Sequence, residues 1–208
     1  MRIGKIEVRG GFILLFTLLY MIDNTGILLP LGIAALIHEL GHWLALRLCG
    51  ARVERMTFSF VGASMEYDGG GLSYFREIVI ALAGPAASMA LALGAAVWGR
   101  AYQNDWAYYL AGLSAVLGAF NLLPIRQLDG GRAVYMFLCW LLGTDPAEGI
   151  LCVFTCATIF LLLLLGLGLF ALSGWNFTFL AIGIWLLAGY CKMGQNSIKY
   201  ARQDSNSI

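Results

Sequence analysis

Charge is scarce in this chain. Asp, Glu, Lys and Arg make up 12% of its 208 residues, while 60% are hydrophobic. A soluble domain usually carries about 25% charged residues, so the shortage excludes water as the main solvent and points to lipid. Net charge is +1, which leaves no overall positive field to attract nucleic acid, and no nucleic-acid partner is expected. Five cysteines are present, Cys49, Cys139, Cys152, Cys156 and Cys191. None forms a closely spaced metal-type pair, and all sit in or beside apolar runs, so they read as small apolar thiols and exclude a disulfide framework. Long polar stretches are confined to 49–76 and the tail after Lys192, which leaves no soluble domain of any size.

What the chain has instead is apolar runs. A crossing helix needs about 20 apolar residues. Runs at 11–22, 27–48, 77–98, 106–123, 150–173 and 175–191 predict an all-α polytopic membrane protein of about six transmembrane helices. The short apolar stretch 133–142 suits an interfacial or re-entrant helix. The first run lacks a small-residue cleavage site and is followed by further apolar runs, unlike a removable signal peptide. Basic residues flanking the spans set orientation. Arg2, Lys5 and Arg9, then Arg47, Arg52, Arg55 and Arg76, then Arg126 and Arg132, and finally Lys192, Lys199 and Arg202 all fall on one side of six alternating spans; Arg100 falls on the other. This places both termini and 49–76 in the cytoplasm.

The second run contains Ile-His38-Glu39-Leu40-Gly41-His42, and the chain has only these two histidines. Residues four apart on an α-helix are separated by about 400° of rotation and about 6 Å of rise. Both imidazoles therefore leave one face and can share a metal. Glu39, about 100° around from His38, reaches a metal-bound water without being a ligand itself. This is the mechanical logic of the H-E-x-x-H zinc motif: zinc lowers the pKa of its water toward about 7, and Glu39 takes the proton and later delivers it to the leaving amine. Outside the motif, 27–46 hold no charged side chain, and ionisable groups in an apolar span default to functional roles.

A third protein ligand is needed, and a carboxylate or thiolate must supply it. Glu54, Glu66, Asp68 and Asp105 lie in polar loops and read as solvated. Asp129 follows the fourth run in Asn121-Leu-Leu-Pro124-Ile-Arg-Gln-Leu128-Asp129-Gly130-Gly131. Asp-Gly-Gly is also an ordinary turn signal. Yet Pro124 breaks the preceding helix, and irregular backbone at membrane depth is tolerated only against protein or a water-filled cavity, which fits a segment that carries Asp129 toward the metal.

His-Glu-Leu-Gly-His at 38–42 together with Asn-x-x-Pro-x-x-x-Leu-Asp-Gly at 121–130 resembles the site-2 protease (peptidase M50) family of intramembrane zinc metalloproteases. Ala83-Gly84-Pro85 is similar to that family's Ala-Gly-Pro element, although Ser88 stands where Asn often follows. The resemblance spans roughly 5–140. It implies one zinc ion held by His38, His42 and Asp129, Glu39 as general base, and Asn121 contacting the substrate backbone or oxyanion. As a helix-ending polar residue, Asn121 also has a plain structural reading. The resemblance further implies a single membrane metalloprotease domain over 1–208, with a three-span catalytic core about 27–133 and accessory spans at 11–22, 150–173 and 175–191. Its partners would be a membrane-tethered protein substrate, the lipid bilayer and inhibitory membrane proteins, and its place a bacterial cell membrane. With no room for a PDZ domain between the spans, the remaining layout is similar to the stage IV sporulation protein FB type, which is associated with removing the pro-sequence of a membrane-tethered sigma factor, although this sequence departs from that type in lacking its CBS domain.

Directly after the zinc helix, Met56, Phe58 and Phe60 alternate with Arg55, Thr57 and Ser59. Period two is a strand signal, and a small cytoplasmic-face β-hairpin is expected there. An open edge on the strand at 53–61 would hold an unwound substrate by backbone pairing. Two other function classes stand beside the protease. One is a catalytically inactive relative acting as a membrane adaptor, which Glu39→Gln would leave unaffected. The other is a metal-permeation protein, which internal repeats would favour; none is visible.

Overall fold

The computed structural model describes residues 2, 3, 6–8, 17, 20, 21, 23–59, 62–68, 71–173 and 177–205. They form two compact units, Met1–Leu122 and Leu123–Ile208. The expected first span at 11–22 lies mostly outside the described residues.

The first unit contains strands β1 (Arg2–Ile3), β2 (Ile6–Val8), β3 (Arg52–Ser59) and β4 (Gly62–Asp68), and helices α1 (Leu28–Leu48), α2 (Tyr74–Tyr102) and α3 (Asp105–Asn121). Each helix start is fixed by a polar side chain that satisfies backbone donors the helix leaves unpaired. For α1 it is Asp23, whose carboxylate accepts from the backbone N–H groups of Thr25, Ile27 and Leu28 and from the Thr25 hydroxyl. Ser73 and Asn104 cap α2 and α3 through their side-chain oxygens. The helices then pack on small residues. A Cβ at Gly41 would meet the Ala83 carbonyl oxygen at 2.6 Å and Ala87 Cβ at 2.7 Å, so α1 and α2 touch backbone to backbone, the packing that apolar surroundings favour. Ala34, Ala95, Leu110 and Ala111 form one core cluster among the three helices.

A second cluster joins the helices to the sheet. Ala45, Leu46, Ala51 and Ile80 are buried together, with Val53, Met65 and Tyr67 packed against them. Tyr67 Oη donates to Glu77 Oε2 at 2.8 Å, which ties β4 to the first turns of α2. The expected hairpin is therefore present, enlarged into a four-stranded sheet of order β1-β2-β3-β4. β2 pairs parallel with β3, and β3 pairs antiparallel with β4 through Met56↔Met65 and Thr57↔Ser64. This corrects one expectation. β3, which covers most of 53–61, is paired on both sides, by β2 at Met56, Thr57 and Phe58 and by β4 along its length. Among the described residues, the outer edge on the hairpin side belongs to β4.

The second unit contains α4 (Asp129–Leu142), α5 (Thr144–Ser173) and α6 (Thr178–Ser205). Leu138, Cys139 and Ala147 pack where α4 turns into α5, across Gly143 at φ 88°, a backbone angle natural to glycine. The stretch 133–142 is thus the body of a 14-residue helix that begins at Asp129.

By length and composition, Leu28–Leu48, Tyr74–Tyr102 and Thr144–Leu172 are apolar enough to cross a membrane, and Thr178–Cys191 is a shorter apolar helix. Large apolar side chains such as Leu93, Val97, Val153, Phe160 and Leu161 point outward on these helices. A water-soluble fold would bury most of these side chains, whereas lipid accepts them; this is the build of an integral membrane protein. Three of the six expected spans meet that standard among the described residues. The fourth, 106–123, corresponds to a helix of only 17 residues opening on Asp105.

Candidate metal centre

His38 and His42 sit one turn apart on α1, as their spacing requires, and both face α2. Their rings lie edge to face with centroids 5.0 Å apart. The outer nitrogen of each ring is taken. His42 Nδ1 lies 2.8 Å from the Ile80 carbonyl oxygen, and a carbonyl can only accept, so Nδ1 carries the proton and Nε2 a lone pair. His38 Nδ1 lies 2.9 Å from Ser88 Oγ, and both partners are buried. The two Nε2 atoms face each other at 3.3 Å, the His42 atom through its lone pair.

Two nitrogens bound about 2.0–2.1 Å from a tetrahedral zinc stand about 3.3–3.4 Å apart, so the observed separation fits such an ion. The hydrogen bonds on Nδ1 are the support that metal-bound histidines usually have: both hold the ring plane, and the carbonyl fixes the tautomer of His42.

Helix α2 is shaped for this. A Cβ at Gly84 would fall on the His42 ring itself, closest to Nε2, so only glycine lets the helix pass. Pro85 lacks the N–H that would bond the Ala81 carbonyl, which loosens the turn next to the Ile80 carbonyl that takes His42. Ile80, Gly84 and Ser88 recur every four residues and so share one face of α2. On the far side, a Cβ at Gly118 of α3 would lie 3.0 Å from Ser88 Cβ, so α3 backs the helix that holds the histidines.

The sequence motif found both histidines but missed their supports. The Ile80 carbonyl carries no side-chain signal. Ser88 was visible only as a departure from the Asn that often follows Ala-Gly-Pro, and its place one helical turn beyond Gly84 in an apolar run was the clue.

Glu39 is half-buried in the turn between the two histidines. Asn121 is the last residue of α3, and its Nδ2 donates to the Leu117 carbonyl at 3.0 Å, the contact of a helix-ending residue. Asp129 belongs to the second unit, where it opens α4 half-buried; a carboxylate there is favoured by the helix dipole. The tight turn before it closes through Leu128 N–H to the Ile125 carbonyl at 2.8 Å. A Cβ at Gly131 would strike that same carbonyl, so the glycine after the Leu-Asp-Gly triplet is a steric requirement of the turn.

Comparison with known proteins agrees with this chemistry. The model of peptidase family M50 matches residues 26–105 and 99–165. Rip3 of Mycobacterium tuberculosis is 33% identical over 176 residues, covering 80% of this chain and 44% of Rip3. Zinc metalloprotease MJ0392 of Methanocaldococcus jannaschii is 27% identical over 113 residues, covering 52% of this chain and 33% of that protein. The chain thus spans less than half the length of these curated relatives. Among solved structures, the site-2 protease from Methanocaldococcus jannaschii superposes with a TM-score of 0.65 over 89% of each chain at 22% identity, a likeness of fold.

Proposed function

This chain belongs to peptidase family M50, and from that premise we propose that it is a zinc metalloendopeptidase that cuts a membrane-associated protein within or near the bilayer. The observation that carries the reading is the convergence of two Nε2 atoms at 3.3 Å while both Nδ1 atoms are held by buried groups on α2, the Ser88 hydroxyl and the Ile80 carbonyl.

His38, His42 and Asp129 supply two ring nitrogens and a carboxylate oxygen, a donor set that suits a catalytic zinc with one open position. When bound there, zinc supplies Lewis-acid polarisation of the scissile carbonyl and acidifies water. The remaining work falls to the chain's own groups. The Ile80 carbonyl holds His42 in the ligating tautomer, and the Ser88 hydroxyl orients the His38 ring. Glu39 takes a proton from the attacking water at its carboxylate and returns it to the leaving amine. Asn121 contacts the substrate backbone or the oxyanion.

Helical peptide bonds are shielded, so the substrate must be unwound before it is cut. The outer edge of β4 is where an extended segment would pair. Six spans, cytoplasmic termini and a bacterial cell membrane complete the proposal, supported by the one-sided distribution of Lys and Arg. Processing of a membrane-tethered sigma-factor pro-sequence is the narrower substrate reading, resting on the layout alone.

Co-expression with a panel of membrane-tethered candidates, among them a sigma-factor pro-sequence fused to a reporter, tests the activity. Cleavage by wild type and none by Glu39→Gln or Asp129→Ala is expected. Equal cleavage by all three would show that the site is misassigned.

A further inference from the structure

The turn that delivers Asp129 is anchored on both long helices of the second unit. Ile125 is fully buried. The backbone N–H of Arg126 donates to Thr155 Oγ1 on α5 at 3.2 Å, and Thr155 is itself fully buried. The Arg126 guanidinium pairs with Glu148, also on α5. Gln127 reaches the other way: its Nε2 donates to the Leu186 carbonyl of α6 at 3.3 Å, and Leu186 has no exposed surface. Space for the Gln127 amide exists because residue 189 is glycine. A Cβ there would lie 2.9 Å from Gln127 Oε1 and 3.0 Å from Nε2. α6 thus presents a notch, with a carbonyl acceptor one turn before it, and a single amide side chain fills both.

Gln127 precedes Asp129 by two residues, and the turn between them is closed by Leu128 N–H to the Ile125 carbonyl and Arg132 N–H to the Leu128 carbonyl. Such a turn has little slack, so a shift at residue 127 passes directly to residue 129. Metal sites tolerate only about 0.5 Å of ligand displacement.

We infer that Gln127 is a positioning residue that fixes the Asp129 carboxylate through its seat on α6 at Leu186 and Gly189, which makes α6 a supporting part of the metal centre. This rests on the reading of Asp129 as a zinc ligand. Gln127 falls at an unspecified position of the motif that marks the ligands, and Gly189 lies outside it.

The test is zinc affinity of the full-length apoprotein in detergent, measured by competition with a chromogenic chelator, beside the apoprotein's melting temperature. Gln127→Ala and the length-preserving Gln127→Met should each weaken zinc by about 10-fold, the lower end of the range for residues that support ligands. Gly189→Ala should cause a comparable loss alone and none beyond that of Gln127→Ala in the double variant, because the shortened side chain vacates the notch. Wild-type affinity in both Gln127 variants, with Asp129→Ala impaired, would overturn the seat and leave the ligand reading intact. Wild-type affinity in Asp129→Ala would overturn the ligand reading and this inference with it. A lower melting temperature at unchanged affinity, or additive losses in the double variant, would reduce Gln127 to packing and overturn the proposal.

Discussion

The two halves of the proposed ligand set are built by opposite means. His38 and His42 are placed by a helix: four residues of spacing bring both rings to one face, where Ile80, Gly84 and Ser88 of α2 seat them. Asp129 is placed by an irregular turn whose shape depends on Thr155, Leu186 and Gly189, residues 26 to 60 positions further along the chain. The first half is set by helix spacing and one helix–helix contact; the second rests on an irregular turn held by two helices. Damage to the first half should therefore come from the motif and from the residues of α2 that face it, and damage to the second should be graded.

The largest effect belongs to Glu39→Gln, which removes the proton acceptor and leaves the ligands in place. Cleavage should fall by about 10²–10⁴-fold, the range for general acid–base catalysis, with zinc content unchanged by metal analysis. Retained cleavage would favour a role other than proteolysis for this turn of the helix.

Gly84→Ala comes next. The added methyl falls on the His42 ring, so zinc affinity should drop by about 100-fold, the upper end of the range for a residue that supports a ligand. Gly94→Ala, on the same helix with open space around it, should bind zinc like the wild type. Equal behaviour of the two variants would break the claim that the helix-borne half depends on close backbone approach.

Ser88→Ala removes the hydroxyl partner of His38 Nδ1 and should weaken zinc by about 10-fold, read by chelator competition; Ser88→Thr keeps the hydroxyl and should restore most of it. Proline at alternate positions of 62–68 should slow cleavage at one phase of the strand while zinc content stays constant. Unchanged cleavage at every position would remove β4 from substrate handling.

The smallest effect lies at the start of the zinc helix. Asp23 is held down to about 2 from an ordinary 3.8, first by the Leu28 N–H and then by the Thr25 hydroxyl. A depressed carboxylate stabilises the fold above its unfolded value and loses that contribution as pH falls through the folded one. Amide protection at Ile27 and Leu28 should therefore hold down to about pH 4 and decline toward pH 2. Asp23→Ala should show the low protection at every pH.

How much was legible follows the same divide. The zinc helix, the Ala-Gly-Pro helix, the hairpin and Asp129 were readable because each rests on local spacing, a breaker residue or a family motif. β1 and β2 were not, because strands of two and three residues carry too little alternation, and their pairing with β3 is long-range. That pairing also closed the edge of β3 on which substrate binding had been expected. Ser88 as the partner of His38, the Ile80 carbonyl and the Gln127 seat arise only when helices pack, and a carbonyl acceptor or a glycine notch leaves no mark on composition or period.

The most direct test of the central claim is the zinc stoichiometry of purified protein for wild type, His42→Ala and Asp129→Ala. One zinc per chain in the wild type, and loss of it in both variants after mild chelation, is the predicted result. Zinc retained by Asp129→Ala at wild-type level would contradict the account, since the loop-borne half would then contribute no ligand.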